Sequence, residues 1–86
     1  MDILKTLAVD IQHSVFNNNT TGILYVTRDV YEGSFVVAVP VYSFSAIIRK
    51  DNLENDCKWV QDHFPGRQYA ERLIEEIKRL ISEFEY

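Results

Sequence analysis

Two runs of β-branched and aromatic residues in the middle of the chain constrain its fold more than any other feature. Residues 23–30 and residues 35–42 both have the composition that is typical of strands. The connection between them is short and contains Gly33, which tolerates the positive φ that tight hairpin turns need. The pattern therefore predicts an antiparallel hairpin.

A hairpin alone is only marginally stable in water, so other segments must cover it. Residues 43–50 fit either a third strand or a short helix capped by Ser43, and we favour the strand for this reason. Pro40 lacks the N–H that a central strand position donates. It is therefore expected at a strand end, at an edge or at a bulge.

Three further segments show helical periodicity. Residues 3–16 carry apolar side chains at helical spacing and are followed by a loop rich in asparagine and threonine. Residues 52–64 carry an apolar stripe behind the candidate N-cap Asp51, and Glu54 completes a pattern typical of a capping box. Residues 67–85 are the most strongly amphipathic segment.

These elements predict a single small α+β domain over residues 1–86, with the order α-β-β-β-α-α. The expected architecture is an antiparallel sheet with helices packed on one face. The length of 86 residues suits one domain, and 47% hydrophobic with 26% charged residues is typical of a folded chain.

The charge balance argues against two classes of ligand. Nine Lys/Arg residues stand against thirteen Asp/Glu residues, which gives a formal net charge of −4. Nucleic acids and anionic membranes are bound through clusters of basic residues, so we expect no direct contact with nucleic acid and none with membranes. The N-terminus lacks the pattern of a signal peptide, and the single cysteine suits a reducing compartment, so the expected localisation is cytoplasmic.

Residues that carry chemistry are few and scattered. Cys57 lies within an apolar stripe, and neither His13 nor His63 has a second metal ligand at helical spacing. Common catalytic and nucleotide-binding motifs are missing from the sequence. We therefore expect no enzyme activity, no cofactor and no metal site, with a small enzyme that uses Cys57 or a carboxylate pair as an alternative hypothesis.

The elements carry more apolar and aromatic surface than one buried face requires. Both faces of the hairpin are apolar, whereas a half-solvated sheet usually alternates apolar with polar residues. Tyrosine and tryptophan are prominent at binding surfaces because they combine apolar area with a hydrogen-bonding group. The candidate partner-binding residues are Tyr25, Asp29, Tyr31, Glu32, Tyr42 and Trp59.

This surface predicts a non-enzymatic protein that occupies part of a larger protein, as a small inhibitor or accessory factor. If that protein partner binds nucleic acid, Asp29 and Glu32 near the hairpin turn are expected to compete with phosphate. Packing in the core is the alternative interpretation of Trp59. A homodimeric structural module, whose second apolar face is covered by another copy, is an alternative function.

Three resemblances bear on this hypothesis. In size, acidity and predicted element order the chain resembles small phage-encoded inhibitors, anti-CRISPR proteins among them, which implies that it acts on a surface of a host protein. Residues 33–40 resemble the proline-ended hairpin strand of HicB-type antitoxins, which implies an antitoxin-like alternative, but the Gly-Thr that follows in that family is missing. The order is also similar to that of double-stranded-RNA-binding domains, yet residues 67–71 lack their lysine-rich turn, so no RNA binding is inferred.

Overall fold

The computed structural model describes residues 4–29 and 33–84, and it shows a four-stranded antiparallel sheet with two helices packed on one face. The strands are β1 (Leu4–Asp10), β2 (Ile23–Asp29), β3 (Ser34–Val39) and β4 (Phe44–Arg49). The helices are α1 (Leu53–His63) and α2 (Ala70–Phe84). The strands lie in the sheet in chain order, so β1 and β4 are its two edges. The predicted α+β class is confirmed.

The predicted first helix is wrong, and the order of elements is β-β-β-β-α-α. Residues 4–10 form β1, which pairs with all of β2, and residues 12–18 form turns. The segment fits both periods, because Leu7, Val9 and Ile11 also alternate along a strand. Pairing with β2 favours the strand over the helix, because β1 satisfies the backbone hydrogen-bonding groups on the side of β2 that faces away from β3. The local sequence pattern does not reveal a partner so far along the chain.

The segment after the hairpin forms β4, so the predicted third strand is confirmed. Pro40 ends β3 and opens a single 3-10 turn, Pro40–Tyr42, and Ser43 then adopts a left-handed φ of 51°. Residues 40–42 were expected to continue the strand. They do not, because proline cannot donate the next ladder hydrogen bond.

The two predicted helices are confirmed with small shifts at their starts. A 3-10 turn, Lys50–Asn52, leads directly into α1, and the N-cap position is Asn52 rather than Asp51. Asp51 lies inside that turn, one residue before the N-cap position of α1. The capping box also fails, because the Glu54 carboxylate lies 3.4 Å from the Lys78 ammonium on α2.

The core lies between the sheet and the two helices. Side chains on the inner face of the strands are buried, and they meet the apolar stripe of α2, whose Leu73 and Ile77 are fully buried. The guanidinium of Arg28 donates a 3.0 Å hydrogen bond to the carbonyl of Phe84 and so joins the end of α2 to β2. The helices therefore cover one face of the sheet and leave the other uncovered.

Candidate functional site

The uncovered face of the sheet, here called the open face, displays large apolar side chains. The strand pairings align Thr27 with Val36 and Val36 with Ile47, so these side chains lie side by side across β2, β3 and β4. The exposed fractions of the large apolar residues on this face are 42% for Ile23, 37% for Tyr25, 40% for Val36 and 63% for Ile47. A contiguous apolar surface of this kind is typical of an interaction site.

Uncharged residues make up the centre of the open face. Between the large side chains lie small ones, Ala8, Ala38 and Ser45, and a hydrogen-bonded pair, Thr6 and Thr27, whose hydroxyl oxygens are 2.8 Å apart. Charged residues on this face stand only at strand ends, and they are Asp10, Asp29 and Arg49. An apolar centre with a polar rim is the usual arrangement of a protein–protein interface.

A groove of about 550 Å³ continues the open face around the outer edge of β4 to α1. Its lining residues are Val36, Ser45, Ala46, Ile47, Asp56 and Trp59. Trp59 is 48% exposed, so it stands at the wall of this groove rather than in the core. Its ring stacks on Phe44 with centroids 6.4 Å apart and on His63 with centroids 4.2 Å apart, which holds the indole beside the strand.

The outer edge of β4 carries backbone groups that β3 does not use. The Lys50 N–H donates to the Gly33 carbonyl at 3.1 Å, which fixes the alternation of the ladder. Even-numbered residues of β4 therefore turn their N–H and C=O groups toward β3. Ser45, Ile47 and Arg49 turn theirs outward.

Asp56 closes this edge at one end. Its carboxylate accepts the outward N–H of Arg49 at 2.8 Å, the Nε of Arg49 at 3.3 Å and the amide of Asn52 at 3.0 Å. The backbone hydrogen bond from Arg49, followed by the side-chain one, holds the pKa of Asp56 below its ordinary value. The carboxylate is thus ionised at neutral pH and already engaged with its own chain.

The candidate residues from the sequence fall in different places. Tyr25 and Asp29 lie on the open face, and Trp59 lies at the groove. Tyr31 and Glu32 lie outside the described residues. Tyr42 does not join the others, because the turn after β3 breaks the strand alternation and directs its ring to Phe64 and Phe16, at centroid distances of 4.9 Å and 5.8 Å.

Val36 and Ile47 are the residues that sequence analysis missed. Val36 lies in the predicted strand of residues 35–42, but its exposure depends on which face of the sheet the helices leave uncovered. The signal for Ile47 was weaker, because residues 43–50 fit a helix as well as a strand. Once β4 is known to be an edge strand, its alternation puts Ile47 on the open face beside Val36.

Side chains with catalytic or metal-binding chemistry do not cluster in the described part of the chain. Cys57 is buried, and this burial raises the pKa of its thiol, while the nearby Lys78 acts in the opposite direction. His13 is exposed, and His63 contacts the Trp59 carbonyl through Nδ1 at 2.8 Å. Within residues 4–29 and 33–84, no group of three or more His, Cys, Asp or Glu is placed to hold a metal ion. Neither described helix is long and apolar enough to cross a membrane.

Comparison of the chain with protein-family models, curated proteins and solved structures finds no match. The open face and the groove beside β4 are the features of the molecule that suggest a function.

Proposed function

We propose that the protein is not an enzyme and works by binding another protein through the open face of its sheet, as a small inhibitor or accessory factor. The observation that carries this proposal is the uncharged surface on which Tyr25, Val36 and Ile47 stand exposed next to one another. Monomeric proteins rarely leave such a surface uncovered without a use for it.

The energetics support a binding role for this surface. Fully burying a valine or isoleucine side chain contributes roughly 1.5–3 kcal/mol of favourable free energy. Ile47 and Val36 are partly exposed, so a partner that covers them gains part of that free energy. Trp59 adds a large aromatic ring that its neighbours already hold in place. Because the side chains stand on a hydrogen-bonded sheet, little backbone conformational entropy is lost when a partner covers them.

The charge of the chain favours a basic partner. Two acidic residues, Asp10 and Asp29, and one basic residue, Arg49, border the open face, and the whole chain has a formal net charge of −4. A protein that itself binds nucleic acid has a basic surface. The carboxylates at the rim of the open face would compete with the phosphates of the nucleic acid for that basic surface. The small size and acidity of the chain itself support a phage or mobile-element protein of the anti-defence type.

A homodimer that covers the same face is the competing proposal. A four-stranded face of this length measures roughly 400 Å² by strand spacing and rise, so two copies packed face to face would bury about 800 Å² in all. Stable interfaces usually bury at least about 1,200 Å². The open face alone therefore falls short of a stable interface with either kind of partner, so a partner must also contact neighbouring surface such as the groove beside β4.

Affinity capture from the cells that encode the chain tests the proposal. The bait is the wild type, Ile47→Asp or the matched control Val41→Asp, whose valine is 50% exposed but lies in the turn after β3. We expect a partner that the wild type and Val41→Asp retain and that Ile47→Asp loses. Equal capture by all three folded baits would show that the open face is not the binding surface.

A further inference from the structure

The groove beside β4 has the hydrogen-bonding groups that another strand requires. Ser45 and Ile47 each direct one N–H and one C=O away from the sheet, which makes two donors and two acceptors in a row. The row has definite ends. Asp56 occupies the next outward N–H, that of Arg49, and the left-handed Ser43 turns the chain out of the strand at the other end.

The walls of the groove suit the two sides of an extended chain. Side chains of an added strand would alternate between the open face, beside Ile47, and the helix side, beside Trp59 and Ala46. Among the described residues, Asp56 is the one charged residue that lines the groove, and its carboxylate is held by Arg49 and Asn52. An uncharged segment with β-branched side chains therefore complements the groove, whereas a charged one would lose its hydration without gaining a partner.

The short length of the open edge selects a peptide segment over a second copy of the chain. Two β4 strands paired across a two-fold axis would be in register over residues 45–47, a span of about 10 Å. A contact between two strands of that length buries far less surface than the roughly 1,200 Å² that stable interfaces bury. A peptide segment of a different protein does not have to supply the whole interface, because the rest of that protein covers the open face and adds buried area there.

We propose that the groove takes up an extended, uncharged segment of the partner protein as a fifth strand, hydrogen-bonded to Ser45 and Ile47 and covered on one side by Trp59. This inference rests on the proposed protein-binding function and names its mode, strand addition to a free sheet edge. The open face then binds the folded surface of the partner, and the groove binds a strand-like segment that extends from it.

A proline substitution separates the backbone of β4 from its side chains. Ser45→Pro removes an outward N–H but no bond to β3, and proline is tolerated at such an edge position. Ser45→Ala is the matched control, because it removes the hydroxyl and keeps the N–H. The probe is the blocked peptide acetyl-Thr-Val-Thr-Val-Thr-amide. Its binding is measured from the amide NMR signals of the protein, with the peptide added up to millimolar concentration. The same peptide, N-methylated at its central residue, is a second control.

The expected result is a shift of the Ser45 and Ile47 amides and of the Trp59 indole in the wild type and in Ser45→Ala. Binding should weaken at least about tenfold in Ser45→Pro, and likewise for the N-methylated peptide. Absent shifts at millimolar peptide, or equal binding by Ser45→Pro and Ser45→Ala, would overturn strand addition. If Ser45→Pro does not fold, the comparison of the two peptides on the wild type decides in the same way.

The captured partner distinguishes the two proposals. If Ile47→Asp abolishes capture while Ser45→Pro and Ser45→Ala behave alike, the open face binds the partner without strand addition. If Ile47→Asp also leaves capture unchanged, the proposed function itself is wrong. Loss of capture with both Ile47→Asp and Ser45→Pro, but not with Ser45→Ala, supports both.

Discussion

The backbone N–H of Arg49 donates a 2.8 Å hydrogen bond to Oδ2 of Asp56, which joins the last residue of β4 to the first turn of α1. This bond determines two features of the candidate site. It occupies one outward donor of the β4 edge, and it fixes the start of the helix that places Trp59, three residues further along, beside the groove.

Asp56→Asn should therefore destabilise the fold and loosen the groove. The amide keeps the shape of the side chain but loses the charge that strengthens its bonds to Arg49, at an expected cost of about 1 kcal/mol in the free energy of unfolding. Urea unfolding measures this, with Asp51→Asn, an exposed neighbour, as the control. Equal stability of the two variants would mean that the charge of Asp56 adds nothing to its hydrogen bonds with Arg49.

The same carboxylate predicts a pH dependence. Because the folded state lowers the pKa of Asp56, its contribution to stability is present above the unfolded pKa, near about 4, and is lost as the pH falls through the lower folded value. The difference in unfolding free energy between the wild type and Asp56→Asn should be constant from neutral pH to about pH 5 and should shrink below about pH 4. A difference that stays the same in acid would contradict this origin.

Cys57 should be unreactive in the folded protein. Its side chain is buried, and the raised pKa keeps the thiol protonated at neutral pH, so little of the nucleophilic thiolate forms. A thiol reagent such as Ellman's should label it slowly in buffer and fully in denaturant. Rapid labelling of the native protein would revive the hypothesis of an enzyme that uses Cys57.

The interior stripe of α2 should dominate stability. Ile77 is fully buried between the helix and the sheet, so Ile77→Ala is expected to cost about 2–5 kcal/mol through lost contacts and the cavity it leaves. Glu75→Ala, on the exposed side of the same helix, should stay within about 0.5 kcal/mol of the wild type. Urea unfolding of both variants measures the contrast, and similar losses would mean that α2 is not packed as described.

The spacing of apolar residues along the sequence predicted the last helix and its buried side correctly. Eight apolar residues recur at helical spacing in residues 67–85, and all eight are buried, because a stripe this regular has one way to meet a core. They are Tyr69, Ala70, Leu73, Ile74, Ile77, Leu80, Ile81 and Phe84.

The errors come from interactions between distant parts of the chain. Leu7 and Ile11 fit a helical stripe, whereas Leu7 and Val9 fit the alternation of a strand, and pairing with β2 decides for the strand. Tyr42 was placed by extending the strand alternation past Pro40, where the turn ends it. The surplus apolar surface was visible in the sequence, but its position depends on which face the helices cover.

Site-specific photo-crosslinking in the cells that encode the chain tests whether the open face binds a protein partner. A photoreactive residue replaces Tyr25 or Ile47 on the open face, or Val41 outside it. We expect a discrete adduct with another protein from positions 25 and 47 and none from position 41. An adduct with a second copy of the chain would instead show the homodimer. No adduct from the open face, or equal adducts from position 41, would contradict the claim that this face binds a protein partner.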